Sequence, residues 1–283
     1  MKIISIETGK FKLDGGAMFG VVPKVIWSKT NPSDSNNLCS WSMRSLLIDN
    51  GNKKILIDCG IGNKQSDKFF SYYHLHGNET LISSLKKNNY HPDDITDVIL
   101  THLHFDHCGG ATKFNENGKI ETVFKNAVYW SNEKHWLSAI NPNSREKASF
   151  LNENLIPLKK SGQLDFIKSE GTFISDIDIL FVSGHTESQM IPHIKFNNEK
   201  IVFCADLLPS TSHIPLPYVM GYDINPLLTL EEKFFFLSLA FKKSYTLFFQ
   251  HDYFYSCCNL KKVNNRIELK DKFMLKKIIK TRQ

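Results

Sequence analysis

The chain has 283 residues, of which 41% are hydrophobic and 23% charged. That composition is typical of a globular protein with a sizeable core, and it excludes disordered, collagenous and coiled-coil chains. No apolar stretch approaches the roughly 20 residues of a membrane span, and the N-terminus lacks the apolar core of a secretory signal. Six cysteines without a CxxC pair indicate thiols. We therefore expect a cytoplasmic protein that does not bind membranes.

The net charge of +6 lies almost entirely at the C-terminus. Residues 261–283 carry nine basic and two acidic side chains, a net charge of +7, which leaves −1 for the rest of the chain. A basic run of this kind can mark a phosphate-backbone partner, but a solvated surface is the more common outcome. We favour the surface and expect no nucleic-acid partner.

Short β-type runs alternate with helical patterns along the chain. The predicted strands are 44–49, 54–58, 97–101, 127–130, 177–182, 200–205 and 245–250. The predicted helices are 79–87, 132–140, 145–155 and 230–242. This alternation, without linkers or repeats, predicts an α/β fold in a single domain over residues 1–283, with helices covering the sheets.

Two features near the C-terminus give more local predictions. Thr229 and Glu232 have the spacing of a capping box, which places the start of the last long helix there. Residues 261–283 form a basic tail or hairpin, in which 266–269 and 273–279 would pair across a turn at 270–272. A helix is the alternative for the second segment.

The strand predicted over 97–101 runs directly into a dense group of metal-ligand side chains. His102, His104, Asp106 and His107 occur within six residues, in the pattern HxHxDH. Because side chains alternate along an extended backbone, His102 and His104 face the same way and can bind one ion. The turn that follows lets Asp106 and His107 face a second ion. Burying three histidines at a strand end is costly unless something coordinates them.

Three further candidate ligands follow other predicted strands. His185 comes after 177–182, Asp206 after 200–205 and His251 after 245–250. Ligands of open α/β sheets gather where strands end, so the shared position of these residues supports a common site.

These motifs resemble the metallo-β-lactamase superfamily, whose metallohydrolases carry HxHxDH, a lone histidine, a bridging aspartate and a final histidine in this order. The resemblance implies a four-layer αβ/βα sandwich with the metal site at the strand ends. It also implies that His102, His104 and His185 bind one divalent ion, that Asp106, His107 and His251 bind a second, and that Asp206 bridges them. Zinc is the first expectation for both ions, and iron or manganese also suits these donors. Asp58, in a family-like Asp-x-Gly sequence, would orient a ligand histidine.

Within the superfamily, the sequence HLHFDHxGG is most similar to the N-acyl homoserine lactonase and methyl parathion hydrolase branch. Two departures bear on lactone specificity. The usual GHTPGH is replaced by GHTESQ at 184–189, and Pro209 stands where lactonases often have a tyrosine.

The predicted reaction is hydrolysis of a small ester-type substrate, a lactone first, by a hydroxide that bridges the two metals. Asp106 would carry the proton. Donors to the developing oxyanion are predicted among His213, Tyr218 and Tyr222, and Phe105 would line an apolar cleft or pack in the core. The alternatives are a phosphotriesterase-like hydrolase, an iron persulfide dioxygenase and a metal-dependent nuclease. The oligomeric state would be a monomer or a homodimer.

Overall fold

A computed structural model describes residues 1–280 of the chain. This range contains fifteen strands. They are β1 (Lys2–Asp14), β2 (Leu38–Asp49), β3 (Lys54–Ile57), β4 (Asp97–Ile99), β5 (Thr112–Phe114), β6 (Ile120–Thr122), β7 (Val128–Ser131), β8 (Leu164–Phe166), β9 (Gly171–Ile174), β10 (Ile177–Val182), β11 (Gln189–Phe196), β12 (Glu199–Phe203), β13 (Thr246–Phe248), β14 (Cys257–Val263) and β15 (Arg266–Phe273).

Nine α-helices accompany these strands in the described part of the chain. They are α1 (Gly15–Phe19), α2 (Lys24–Trp27), α3 (Asp67–Tyr73), α4 (Leu81–Lys87), α5 (Phe105–Cys108), α6 (Glu133–Ile140), α7 (Asn152–Lys160), α8 (Pro226–Lys242) and α9 (Lys276–Lys280). Strands and helices alternate through most of the sequence, as expected for the predicted α/β class.

The chain divides into two compact units, and the first comprises Met1–Lys10 and Met43–Ser169. Its sheet has the order β1-β2-β3-β4-β7-β8, and the pairs β3/β4, β4/β7 and β7/β8 are parallel. A buried core of aliphatic and aromatic side chains, including Leu56, Val98, Tyr129 and Trp136, packs against this sheet. Because β3 and β4 are parallel neighbours, the residues that follow them lie at the same edge of the sheet.

The second unit comprises Phe11–Ser42 and the described chain from Glu170 onward. Its sheet has the order β15-β14-β13-β12-β11-β10-β9, in which β12 and β13 are parallel and β10, β11 and β12 alternate in direction. The strands β10, β12 and β13 therefore run the same way and end at one edge. Helix α8 packs on β14 and β15.

Several predicted elements are confirmed. The strand 177–182 is found with the predicted bounds, and the other six predicted strands overlap observed ones. Helices α4, α6 and α8 occupy the predicted regions. The six cysteines are buried free thiols.

The helix predicted over 145–155 is wrong in its position, since α7 begins at Asn152 and ends at Lys160. The Asn143 side chain accepts hydrogen bonds from the backbone N–H groups of Arg145 and Glu146, which stabilises a turn instead of a helix. The carbonyl of Ser149 accepts a hydrogen bond from the N–H of Phe105, so it is not available for a helix.

The capping box at Thr229 is also wrong. Helix α8 starts one turn earlier, with Pro226 in its first turn and the Asn225 side chain accepting from the N–H of Leu228. The Glu232 carboxylate instead accepts hydrogen bonds from the backbone N–H groups of Ser183 and Gly184.

The hairpin predicted between 266–269 and 273–279 is wrong, because 266–273 form one strand that pairs with β14 instead. The turn of this observed hairpin lies at Asn264 and Asn265, which both have positive φ. Two-residue hairpin turns need this backbone conformation, and asparagine tolerates it well. Residues 270–272, predicted as the turn, lie inside β15, and the helix α9 follows it. The basic side chains at 261, 262, 266, 270 and 272 are exposed, while the end of the basic tail, 281–283, lies outside the described residues.

Among residues 1–280, no helix is both long enough and apolar enough to cross a bilayer.

Candidate metal centre

In the first unit, the HxHxDH motif follows β4 and leads into α5. The end of β3 supports it through Asp58, which is fully buried and has a φ of 58°. One oxygen of this carboxylate, Oδ1, accepts from the backbone N–H of Thr101 at 2.8 Å. The other, Oδ2, accepts from the Thr101 hydroxyl at 2.8 Å and lies 2.9 Å from Nδ1 of His107. Asp58 therefore fixes both the strand end and one histidine ring.

The histidines of this motif are packed together. The ring centroid of His102 lies 3.8 Å from that of His107 and 4.6 Å from that of His104. Nε2 of His107 is 3.7 Å from Oδ2 of Asp106. Four potential ligands thus converge within one unit, and all four are buried.

Two glycines after the motif let the chain approach the neighbouring loop closely. A Cβ atom on Gly109 would lie 2.1 Å from the carbonyl oxygen of Ile61, and one on Gly110 would lie 2.1 Å from that of Cys59. Any larger residue would push the motif away from the end of β3.

In the second unit, the other three predicted ligands meet around Asp206. Its Oδ2 lies 3.3 Å from Nε2 of His185, and its Oδ1 lies 3.2 Å from Nε2 of His251. Each carboxylate oxygen therefore faces a different imidazole. Asp206 lies in a 3₁₀ turn after β12, and its backbone N–H donates to Oε1 of Gln189.

The far nitrogens of these two histidines contact buried partners. Nδ1 of His185 is 2.8 Å from Oδ1 of Asp223, and Nδ1 of His251 is 2.9 Å from the carbonyl oxygen of Ser42. A carbonyl can only accept, so His251 carries its proton on Nδ1 and presents Nε2 as a lone pair. The Asp223 carboxylate favours the same tautomer in His185.

The same ring orientation recurs in the first unit, with one exception. Nδ1 is engaged by Thr101 Oγ1 in His102, at 3.1 Å, and by Asp58 in His107. In His104 the contact is on the opposite nitrogen, where Nε2 lies 3.6 Å from Oε1 of buried Glu146. Four histidines therefore present Nε2, whereas the separation at His104 is longer than a hydrogen bond.

The predicted substrate-contacting residues have different environments. Phe105 is buried under the rings of Phe69 and Tyr73. Tyr218 is half-buried, and Tyr222 is 41% exposed. Their roles in substrate contact stay predictions.

His213 is buried, and its ring stacks on Phe19 with centroids 4.6 Å apart. Nδ1 lies 2.8 Å from the Ser210 hydroxyl, and Nε2 lies 2.8 Å from the carbonyl of Met18. Burial lowers the pKa of His213 to about 3, so the ring is neutral near pH 7. A neutral ring has one N–H, and here it faces Met18, so donation to a substrate would require this hydrogen bond to break.

Sequence reasoning missed Asp223, Glu146 and the Ser42 carbonyl. It also missed Lys233, a buried lysine of α8 whose Nζ donates to the carbonyls of Pro215 and Tyr218 at 2.8 Å each. No local pattern marks these groups, because each acts through a contact that is distant in sequence. The aromatic pair Phe69 and Tyr73, four residues apart, did carry a signal of a shared helix face.

The sequence matches the model of a known protein family. The model of the metallo-β-lactamase superfamily matches residues 44–251, a range that contains all seven predicted ligands. The chain belongs to this superfamily. Its α/β class and metallo-β-lactamase fold are thereby confirmed, and the chain is a metal-dependent hydrolase of the superfamily.

Solved structures of other superfamily members have similar folds. A probable metal-dependent hydrolase from Staphylococcus aureus is 29% identical, with a TM-score of 0.88 over 96% of both chains. The hydrolase AbOPH is 22% identical, with a TM-score of 0.77 over 94% of this chain and 92% of its own. AidC, a dizinc quorum-quenching lactonase solved with the product N-hexanoyl-L-homoserine, is 23% identical, with a TM-score of 0.76 over 96% of this chain and 95% of its own. No curated protein sequence matches the chain.

Proposed function

We propose that this superfamily member is a dinuclear metal-dependent hydrolase that acts on a small ester-type substrate, with lactones as the first class. The observation that carries the proposal is the arrangement around Asp206. Its two oxygens face the Nε2 atoms of His185 and His251 at 3.3 and 3.2 Å. A carboxylate that bridges two cations needs one oxygen directed to each of them.

The residues fit such a pair of ions. Since Nδ1 of His185 and of His251 contacts an oxygen of the protein, their inward nitrogens are suited to a cation. In the proposed centre, His102, His104 and His185 hold one ion and Asp106, His107 and His251 hold the other. Asp206 bridges them. Zinc suits this mixture of imidazole and carboxylate donors, as do iron and manganese.

When bound, a pair of divalent cations would supply Lewis acidity and a water molecule of lowered pKa. The chain's own residues position this chemistry. Asp58 and Asp223 hold His107 and His185 in the tautomer that presents Nε2. The Asp106 carboxylate accepts a proton during attack on the ester carbonyl and returns it to the leaving alcohol. Water adds to the carbonyl carbon, the ester C–O bond breaks, and an acid and an alcohol result.

Lactones rank first because of the similarity to AidC, whose structure holds a lactone hydrolysis product. Two departures from the lactonase pattern are the reason to test phosphotriesters and other esters as well. GHTESQ replaces the usual GHTPGH at 184–189, and Pro209 stands where lactonases often have a tyrosine. Persulfide oxidation ranks lower because a single iron would leave Asp106, His107 and His251 without a role. A nuclease ranks lower because the exposed basic side chains at 261, 262 and 266 lie near the turn of the β14–β15 hairpin. Strand β14 is antiparallel to β13, so this turn lies away from the end at which His251 follows β13.

The test is a substrate panel on protein purified without chelator. It compares lactones, aryl esters and phosphotriesters with a persulfide, for which oxygen uptake is measured, and with RNA. We expect turnover of at least one lactone or ester and its loss on chelation. Persulfide-dependent oxygen uptake or RNA cleavage, without ester turnover, would contradict the proposal.

A further inference from the structure

The C-terminal end of α3 places a tyrosine beside the HxHxDH motif. Tyr73 is the last residue of this helix, and its ring centroid lies 4.7 Å from that of Phe105 and 4.9 Å from that of Phe69. Phe69 and Phe105 meet edge to face at 5.2 Å. Because Phe105 directly precedes Asp106, these contacts hold the Tyr73 ring next to a proposed metal ligand.

The helix itself is fixed at both ends, which limits movement of this ring. The Ser66 side chain caps its start by accepting from the N–H of Phe69. His74 ends it in the left-handed conformation, with a φ of 44°, and its N–H donates to the carbonyl of Phe70. The side chain of Tyr73 therefore projects from a defined position.

The Tyr73 hydroxyl has no hydrogen-bond partner among the described residues, although its side chain is half-buried. The hydroxyl is not among the fully buried polar atoms of the described residues that lack a partner, so it is accessible and can donate to a ligand that binds beside Phe105. Burial raises the pKa of Tyr73 to about 12, and the negative charge of Asp106 contributes to the rise. The hydroxyl thus keeps its proton at neutral pH and can act as a donor.

We propose that the Tyr73 hydroxyl donates a hydrogen bond to the substrate oxygen that becomes negatively charged during hydrolysis, which makes Tyr73 a catalytic residue. This inference rests on the proposed function. The sequence predicted the oxyanion donor among His213, Tyr218 and Tyr222, which belong to the second unit. The inference assigns this role to Tyr73 of the first unit instead. It also suits esters and lactones whose carbonyl lies beside an apolar group, because the same ring forms an aromatic wall with Phe69 and Phe105.

The test is Tyr73→Phe, which keeps the ring contacts and removes only the hydroxyl. We expect kcat to fall about 100- to 1,000-fold on the best ester or lactone, with KM changed less than about threefold, as for the loss of one oxyanion donor. Metal content and thermal stability should stay at wild-type values. The control is Tyr72→Phe on the same helix, where the side chain is 62% exposed and should be indifferent to the change.

The outcomes separate the two levels of the proposal. If the wild-type protein turns over an ester or lactone and the kcat of Tyr73→Phe is within about twofold of the wild-type value, the role of Tyr73 is contradicted. The proposed hydrolase function would still stand. A large rise in KM with unchanged kcat would also contradict the role of Tyr73, since the hydroxyl would then act in ground-state binding. Wild-type protein without turnover on the whole panel would contradict the proposed function and the role of Tyr73 together.

Discussion

Replacing Asp58 by asparagine should weaken metal binding through a change in the tautomer of one histidine. The Asp58 carboxylate accepts from the N–H and hydroxyl of Thr101, and its Oδ2 contacts Nδ1 of His107. Asparagine has nearly the same shape but only one accepting oxygen. If that oxygen keeps the N–H of Thr101, the amide NH₂ faces His107 and must donate to its Nδ1.

The proton of His107 then moves to Nε2, the atom proposed to bind metal. Flipping the amide avoids this only by opposing its NH₂ to the N–H of Thr101, which leaves a buried donor unsatisfied at a cost of about 1–3 kcal/mol. Loss of a group that orients a ligand histidine typically lowers metal affinity 10- to 100-fold, or about 1.4–2.7 kcal/mol. We expect Asp58→Asn to lose zinc affinity in that range.

Chelator competition at fixed pH measures this change. The matched control is Asp97→Asn, since Asp97 is also buried in the first unit but contacts Lys53 and the indole N–H of Trp130 instead of a histidine. This variant should lose stability without losing zinc affinity. Equal zinc affinity in Asp58→Asn and wild type, or an equal loss in Asp97→Asn, would refute the tautomer argument.

Three further changes address other parts of the molecule. Burial lowers the pKa of His193 to about 4, so below about pH 6.5 the unfolded chain binds a proton that the folded chain does not. Folding stability should fall by about 3 kcal/mol between pH 6.5 and 4 for this reason, and His193→Gln should remove that part of the fall in chemical denaturation. Asp206→Ala should lower kcat/KM by roughly 1,000-fold or more and deplete both metals, whereas His251→Ala should deplete only one and cost less. Gly184→Ala should destabilise the protein by about 1–3 kcal/mol, because its Cβ would lie 2.3 Å from the backbone nitrogen of Thr229.

Each of these three predictions has a result that would contradict it. An unchanged pH profile of stability in His193→Gln would show that the ring titrates alike in both states. Asp206→Ala with both metals and near-wild-type turnover would exclude the bridging role. Gly16→Ala, where the nearest atom to a Cβ is a side-chain oxygen of Asp14 at 3.0 Å, should cost less than Gly184→Ala, and the reverse order would contradict the packing argument.

The sequence predicted those parts of the fold and of the candidate site that depend on short spacings. The HxHxDH motif begins three residues after the end of β4, and His185, Asp206 and His251 follow β10, β12 and β13. These positions could be predicted because strand ends are marked locally by apolar runs that stop at polar residues. The direction of these strands then brings their ends to a common edge within each sheet.

The partners of the ligands could not be predicted in the same way. Asp223 is 38 residues from His185, and Ser42 is 209 residues from His251, so only the folded chain reveals these contacts. The wrong start predicted for α8 has a related cause. Glu232 fits a local capping box by spacing, but its carboxylate satisfies two backbone N–H groups of the His185 loop instead.

The number of metal ions per chain decides whether the proposed centre is dinuclear. It is measured by elemental analysis of wild-type protein purified without chelator and again after incubation of stripped protein with zinc, iron or manganese. We predict about two ions per chain, lost on chelation and restored by at least one of these metals. A ratio near zero that none of the three can restore, or a ratio that saturates at one, would contradict the dinuclear centre.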